Sequence, residues 1–210
     1  MDYKTEQENF WAGNFGDEYS QRNSSEQLLK SKKNLFKKML STTGNIQSVI
    51  EFGSNIGLNL KSICSLSPET ELSAIEINGF AKSQLESWGG CKEIFHQSAL
   101  EFEAKTTYEL SMILGVLIHI NPKELPIMYE KLYSSTNRWI FISESYNPTP
   151  LEVSYRGHES RYFKRDFAGE MLDMYQDLKL VEYGFVYHRD PLYPLDDTTW
   201  FLLEKQGSAK

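Results

Sequence analysis

Two carboxylates, a glycine-bearing turn and one histidine are the residues in this sequence whose types and spacing could do chemistry. The stretch Glu51-Phe52-Gly53-Ser54-Asn55-Ile56-Gly57 joins an apolar, β-branched run to a helical pattern of Leu58, Leu60, Ile63 and Leu66. At the carboxyl end of a strand in an open α/β sheet, a glycine-rich first turn lets backbone approach a ligand closely. Gly53 and Gly57 occupy such places, and Asn55, where a further glycine is common, tolerates a left-handed backbone. The spacing is not G-x-G-x-x-G, and no Gly-Lys-Ser/Thr follows as in a P-loop. Glu51, at the strand tip, would repel a pyrophosphate, whereas it would accept hydrogen bonds from an ammonium and attract a sulfonium. That favours S-adenosylmethionine over a nicotinamide dinucleotide. Glu76, roughly 20 residues beyond the turn, ends a second apolar run, where an acid accepts two hydrogen bonds from ribose hydroxyls.

Methyl transfer from a sulfonium is an in-line displacement, so a protein mainly positions the reactants and excludes water. A nitrogen or oxygen nucleophile must also lose a proton, and histidine suits that step at its ordinary pKa. His119, after the run Leu110–Leu117, is the first candidate for that base. It could equally be a strand-end residue bonded to backbone. His158 and His188 are rivals, and His96 reads as structural. The segment Tyr155-Arg156-Gly157-His158-Glu159-Ser160-Arg161-Tyr162 mixes aromatics with arginine forks, which bind carboxylates and phosphates in pairs of bonds while rings stack on sugars or bases. It suits an anionic sugar or nucleotide sugar; alternatively its charges pair with Lys164, Arg165 and Asp166 in a polar loop. His188-Arg189-Asp190 and Asp196-Asp197 either line the same mouth or form a turn.

The elements that must position these residues alternate in period. Strands are expected at 48–52, 71–77, 93–96, 110–117 and 138–144, with helices at about 24–40, 58–66, 79–87 and 123–135. Such alternation implies an α/β fold with a mostly parallel sheet and right-handed crossovers. Residues 10–23 show no clear period and read as irregular, and 145–165 as a long loop. A helix at about 166–175 and strands at 179–188 and 198–204 close the chain as an antiparallel hairpin. We read 1–210 as one domain: an N-terminal lid and helix at 1–44, a cofactor-binding core at 45–144, and a substrate loop with hairpin at 145–210. The tail 206–210 reads as unstructured.

Composition bounds the rest. The 210 residues are 40% hydrophobic and carry a net charge of −7, with a pI near 5.2 and a mean hydropathy of −0.48. A molecule of that charge repels phosphate backbones, so nucleic acid is not an expected partner. Lys30, Lys32, Lys33, Lys37 and Lys38 read as the solvated face of an amphipathic helix. Cys64 and Cys91 lack metal-site spacing and read as reduced thiols, so no metal is expected. The polar start, Met1 to Asn9, lacks an apolar targeting core, and no run reaches the roughly 20 apolar residues of a membrane span. A cytoplasmic protein is expected, and its oligomeric state is left open.

The motifs FWAGNFGDEY, VIEFGSNIGLNL, LSAIEIN, GVLIHINP, YNPTP, YRGHESRYFKRDFAGEM and YGFVYHRDPLYPLDDTTWFLLEK span nearly all of the chain. In them the sequence resembles class I S-adenosylmethionine-dependent methyltransferases, and in particular the pseudaminic acid biosynthesis-associated methylases. The resemblance implies a Rossmann-like class I fold with a C-terminal antiparallel hairpin. It implies that Glu51, Gly53, Asn55 and Gly57 surround the methionine part of the cofactor, Glu76 with Ile77 the ribose, and Ser98 and Ala99 the adenine, although Gln97-Ser98-Ala99-Leu100 lacks the acid usual there. Gly115 and Val116 would lie beside the cofactor, and Trp11, Tyr19 and Arg22 would form a lid. Tyr155, Arg156, His158, Arg161 and His188 would meet a small, sugar-related acceptor of nonulosonic acid or surface-polysaccharide biosynthesis. Protein or RNA methylation, and a non-catalytic S-adenosylmethionine-binding partner protein, are the alternatives; the acidic balance counts against RNA.

Overall fold

The computed structural model describes residues 3–207. Within them residues 10–23 are helical rather than irregular. Thr5 and Glu8 form a capping box that starts α1 (Glu6–Ala12), Gly13 interrupts the backbone, and α2 (Asn14–Arg22) resumes it. A capping box satisfies two otherwise orphaned backbone donors, enough to start a helix in a segment too short to show a period. Ser25 accepts from the Leu28 N–H at 3.2 Å and caps α3 (Glu26–Thr43), which runs past Leu40 to Gly44.

The chain then alternates through β1 (Ser48–Phe52), α4 (Leu58–Leu66), β2 (Glu71–Ile75), α5 (Gly79–Trp88), β3 (Glu93–Phe95), β4 (Tyr108–Leu114), α6 (Leu125–Ser134) and β5 (Thr136–Glu144). The strand expected at 110–117 stops at Leu114, because Gly115 turns left-handed at φ 67° and 117–119 close one 3-10 turn. The segment 145–165 holds a small antiparallel pair, β6 (Leu151–Glu152) with β7 (Phe163–Lys164). Then come α7 (Phe167–Met174), β8 (Leu178–Val186) and β9 (Thr198–Lys205). Gln206 and Gly207 form a turn; Met1, Asp2 and residues 208–210 of the expected loose tail lie outside the described residues.

The main sheet has the order β3-β2-β1-β4-β5-β9-β8. β1 to β5 pair in parallel, and β9 runs antiparallel to both β5 and β8. Burial on both faces explains the near-continuous apolar strands. Ile50, Phe52, Ile113, Ile140 and Ile142 pack with Met128, Leu132, Phe167 and Met171 of α6 and α7. Val49, Leu72, Leu110, Met112 and Phe141 pack on the opposite face with Leu35, Phe36, Leu60, Ile63 and Leu85 of α3, α4 and α5. Alternation along β1 thus turns Val49 and Glu51 toward α3 and α4. Both cysteines are free thiols. Among the described residues no cluster of side chains could hold a metal ion, and no helix is long and apolar enough to cross a membrane.

A candidate cofactor pocket at the strand ends

A cavity of about 300 Å³ runs along the carboxyl ends of the strands from β3 to β9. Its floor is the turn after β1. The Gly53 and Ser54 N–H groups donate to Ile75 O at 2.9 and 3.0 Å, which ties the turn to β2. Asn55 adopts φ 48°, and its N–H donates to Glu76 at 2.6 Å, while the Asn78 N–H donates to the other Glu76 oxygen at 2.7 Å. Glu76 therefore braces two loops while lining the cavity. Burial pushes its pKa up, against the backbone donors of Asn78, Asn55 and Ile77. Gly53, at φ 74°, has no room for a side chain, since a Cβ would stand 2.6 Å from Val116 Cγ2. A Cβ on Gly57, at φ 79°, would meet Leu85 Cδ2 at the same distance. Gly57 serves that packing and does not line the cavity.

Glu51 is displaced from its expected role. It is fully buried and outside the cavity wall, since the strand face it shares with Val49 turns it under the loop. Its Oε1 accepts from Asn59 Nδ2 at 2.5 Å and its Oε2 has no partner. Burial raises its pKa to about 8, opposed by Asn59 and Lys32. It does not present an exposed anion to a sulfonium.

Ser98, Ala99 and Leu100 line the β3 end. The acid missing from 97–100 has a counterpart from elsewhere: Glu8 of α1, buried in the same wall, accepts a hydrogen bond from the Ser98 hydroxyl. Gly115, Val116 and Ile77 line the middle, and a Cβ on Gly115 would meet nothing within 4 Å, so open space lies above it. Trp11 and Tyr19 form part of the roof, and burial raises the Tyr19 pKa. Asn78 secures this roof, donating to Asp17 at 2.7 Å. Arg22 faces outward instead and pairs with Glu18 at 3.4 Å.

His119 lines the cavity and is also bonded to backbone, its ring nitrogen Nδ1 lying 2.5 Å from Arg161 O. A carbonyl only accepts, so Nδ1 carries the proton and Nε2 keeps its lone pair. Burial pushes the pKa down to about 4. The imidazole is thus a neutral acceptor at ordinary pH rather than a base near 7. Beneath it Glu144, absent from the sequence-level candidates, accepts from the Val116 and Leu117 N–H groups at 2.9 Å and shapes the turn that carries His119. Burial raises its pKa to about 8. Its position at the tip of β5, like those of Glu51 and Glu76 at theirs, was the available signal.

No protein-family model and no curated protein matches this sequence. Solved structures do match. Magnesium protoporphyrin IX methyltransferase from Synechocystis, with S-adenosylmethionine bound, superimposes with a TM-score of 0.73 at 12% identity, covering 98% of this chain and 100% of that one. A 1,6-didemethyltoxoflavin N1-methyltransferase from Burkholderia thailandensis gives 0.71 at 11%, covering 95% and 87%. An S-adenosylmethionine-dependent methyltransferase from Leishmania major gives 0.70 at 13%, covering 95% and 87%. The fold is the Rossmann-like class I methyltransferase fold.

On this methyltransferase fold the remaining candidates except His188 gather around the roof without lining the cavity wall. Tyr155 lies against His119 (5.0 Å between ring centres), Trp11 (6.4 Å) and, in parallel, Tyr162 (5.4 Å). The Arg156 guanidinium sits over the Tyr155 ring, and Arg156 itself is left-handed at φ 51°. His158 packs on Phe10 and Phe15. Arg161 pairs with Glu6 of α1 at 3.2 Å while also donating to Ser160 O at 3.0 Å, and Gln7 donates to the same Ser160 O at 3.0 Å. The loop and the N-terminal helices therefore form one cover. His188 lies apart, exposed and paired with Asp197 at 2.8 Å. Its neighbour Asp196 lines the cavity, as does Lys32.

The wall fits S-adenosylmethionine. Glu76 offers acceptors at the tip of β2, Ala99, Leu100, Ile77 and Ile120 offer apolar surface for a purine, and Gly115 leaves room above β4. Gln7 Oε1 and Trp11 Nε1, from residues lining the same cavity, are buried without partners, as acceptors and donors awaiting a ligand are.

Proposed function

We propose that the chain is a cytoplasmic S-adenosylmethionine-dependent methyltransferase, acting as one domain on a small, polar, sugar-related acceptor, and not on nucleic acid. The observation that carries the reading is the Glu76 carboxylate, at the tip of β2 in the wall of a cavity floored by the Gly53–Gly57 turn. When bound, S-adenosylmethionine supplies an electrophilic methyl group on a sulfonium that departs as a neutral thioether.

The protein's own residues do the rest. Glu76 accepts from the ribose hydroxyls with lone pairs left over from its backbone bonds, with Ile77 beside it, while Ser98 and Ala99 meet the adenine. Gly53, Asn55, Gly115 and Val116 bound the methionine side. Trp11 and Tyr19 exclude water, which matters for a displacement whose barrier depends on positioning. His119 Nε2 accepts a hydrogen bond from the acceptor's N–H or O–H and orients its lone pair. With a pKa of about 4 it positions the nucleophile and does not store its proton, which the methylated product gives up to solvent.

The ring cluster of Trp11, Tyr155 and Tyr162, with Arg156 beside it, supports a flat or sugar-like anionic acceptor. His158 and Arg161 serve by holding the cover closed. Covering helices that close over the site favour a small acceptor over a protein or RNA. The resemblance to pseudaminic acid biosynthesis-associated methylases supports a nonulosonic sugar or its nucleotide-activated form.

Titration calorimetry with S-adenosylmethionine and S-adenosylhomocysteine tests the reading. Wild type is expected to bind both, and Glu76→Ala to weaken both by on the order of 10- to 100-fold, the range of a charge-assisted hydrogen bond. One member of a panel of free and nucleotide-activated nonulosonic sugars should then trigger S-adenosylhomocysteine release. A wild type that binds neither cofactor form assigns the cavity to another ligand.

A further inference from the structure

Of the five lysines on α3 that look alike in sequence, Lys32 alone lines the cavity. Its ammonium donates to Asn59 Oδ1 at 2.8 Å. An ammonium has three donors, so two remain for another group. Among the described residues no carboxylate lies within ion-pair distance of it, since Glu51 is reached only through the Asn59 amide. Asp196 acts on it from the same end of the cavity. Burial lowers the Lys32 pKa, while Glu51 and Asp196 raise it. A cation held in a cavity wall without an ion pair is costly unless a ligand brings the anion.

The place of Lys32 selects the anion. Ser98 stands at one end of the cavity and Glu76 near its middle, while Lys32, Asn59, Ser143, Asp196 and Thr198 stand at the other. A nucleoside with its base at Ser98 and ribose at Glu76 directs its 5′ substituent past the Gly53 turn toward Lys32. We propose that Lys32 is the carboxylate anchor of this cavity, its two remaining N–H groups receiving the carboxylate of the amino-acid end of S-adenosylmethionine. The inference rests on the cofactor reading given above. Asp196, of opposite charge at the same end, is placed to meet the neighbouring ammonium.

Calorimetry with two ligands tests it: S-adenosylhomocysteine, which carries the amino-acid end, and 5′-methylthioadenosine, which lacks it. Lys32→Met, which keeps the length of the side chain, should lose on the order of 10- to 100-fold in affinity for the first and stay within about twofold of wild type for the second. Lys32→Arg should recover part of the loss. Removing a cavity-wall charge that has no ion partner should leave the melting temperature unchanged or raised, which separates lost anchoring from lost folding. If Lys32→Met binds S-adenosylhomocysteine as wild type does, the anchor is elsewhere and the proposal is overturned. If wild type binds neither nucleoside, the cofactor reading itself falls and takes the proposal with it.

Discussion

A neutral histidine and two buried acids show how strongly single side chains here depend on what surrounds them. His119 occupies the position expected of a base, yet its Nδ1 proton is committed to Arg161 O and burial holds its pKa near 4. A base that titrates near 6.5 would make turnover fall as the pH drops through 6.5. A neutral positioning imidazole places that acid limb near 4 instead. We therefore expect kcat to stay flat between about pH 5.5 and 7.5 at saturating cofactor, and His119→Asn to lower kcat while leaving S-adenosylhomocysteine affinity unchanged. An acid limb centred near 6.5 that vanishes in His119→Asn would restore the general-base role.

Among the elements, the turn between β1 and α4 does most to define the site, and its geometry is built on exclusions. Gly53 combines a left-handed backbone with a 2.6 Å approach to Val116, so a side chain meets both strain and a clash. Gly53→Ala is expected to destabilise the fold by about 1–3 kcal/mol, measured as a lower denaturant midpoint at unchanged slope, and to weaken S-adenosylhomocysteine in parallel. An alanine variant as stable as wild type would show that Val116, in the turn after β4, yields to a side chain at this position. The cover is also a joint product of elements: α1 and α2 contribute Phe10, Trp11 and Phe15, the loop between β6 and β7 contributes Tyr155 and His158, and neither face is complete alone.

At the scale of the whole molecule, buried titratable groups set how stability responds to pH. Glu51 and Glu144 hold folded pKa values of about 8, above the ordinary carboxyl value of 4.5. The folded state therefore keeps protons that the unfolded chain has released. Their favourable contribution is full below about pH 4.5 and is lost as the pH rises through 8. His119 acts in the opposite sense, but only between about 4 and 6.5. Between pH 6.5 and 8.5 wild type should lose stability more steeply than Glu144→Gln, which cannot ionise. Parallel pH profiles for the two proteins would mean that Glu144 is already ionised across that range.

The sequence by itself determined the order of the main-sheet strands and of the helices from α3 onward, the glycine turn and the place of Glu76, because each depends on local period or on a fixed offset along one βαβ unit, whereas α1, α2 and the β6–β7 pair are too short to show a period. The apolar runs at 48–52 and 138–144 read as covered strands, and Gly53 with Asn55 two positions on reads as a tight turn. Four things were decided by tertiary structure. Glu51 turns under the loop because the pleat of β1 shares its face with Val49, and α3 and α4 close over that face. Lys32 differs from Lys30, Lys33, Lys37 and Lys38 only in which neighbour its helix meets. Glu8 reaches Ser98 across 90 residues of chain, and Glu144 reaches back to the turn before His119. Periodicity reports which residues share a face. It carries no record of which face meets a cavity, since that is set by packing between segments far apart in the chain and by the burial it imposes on their charges.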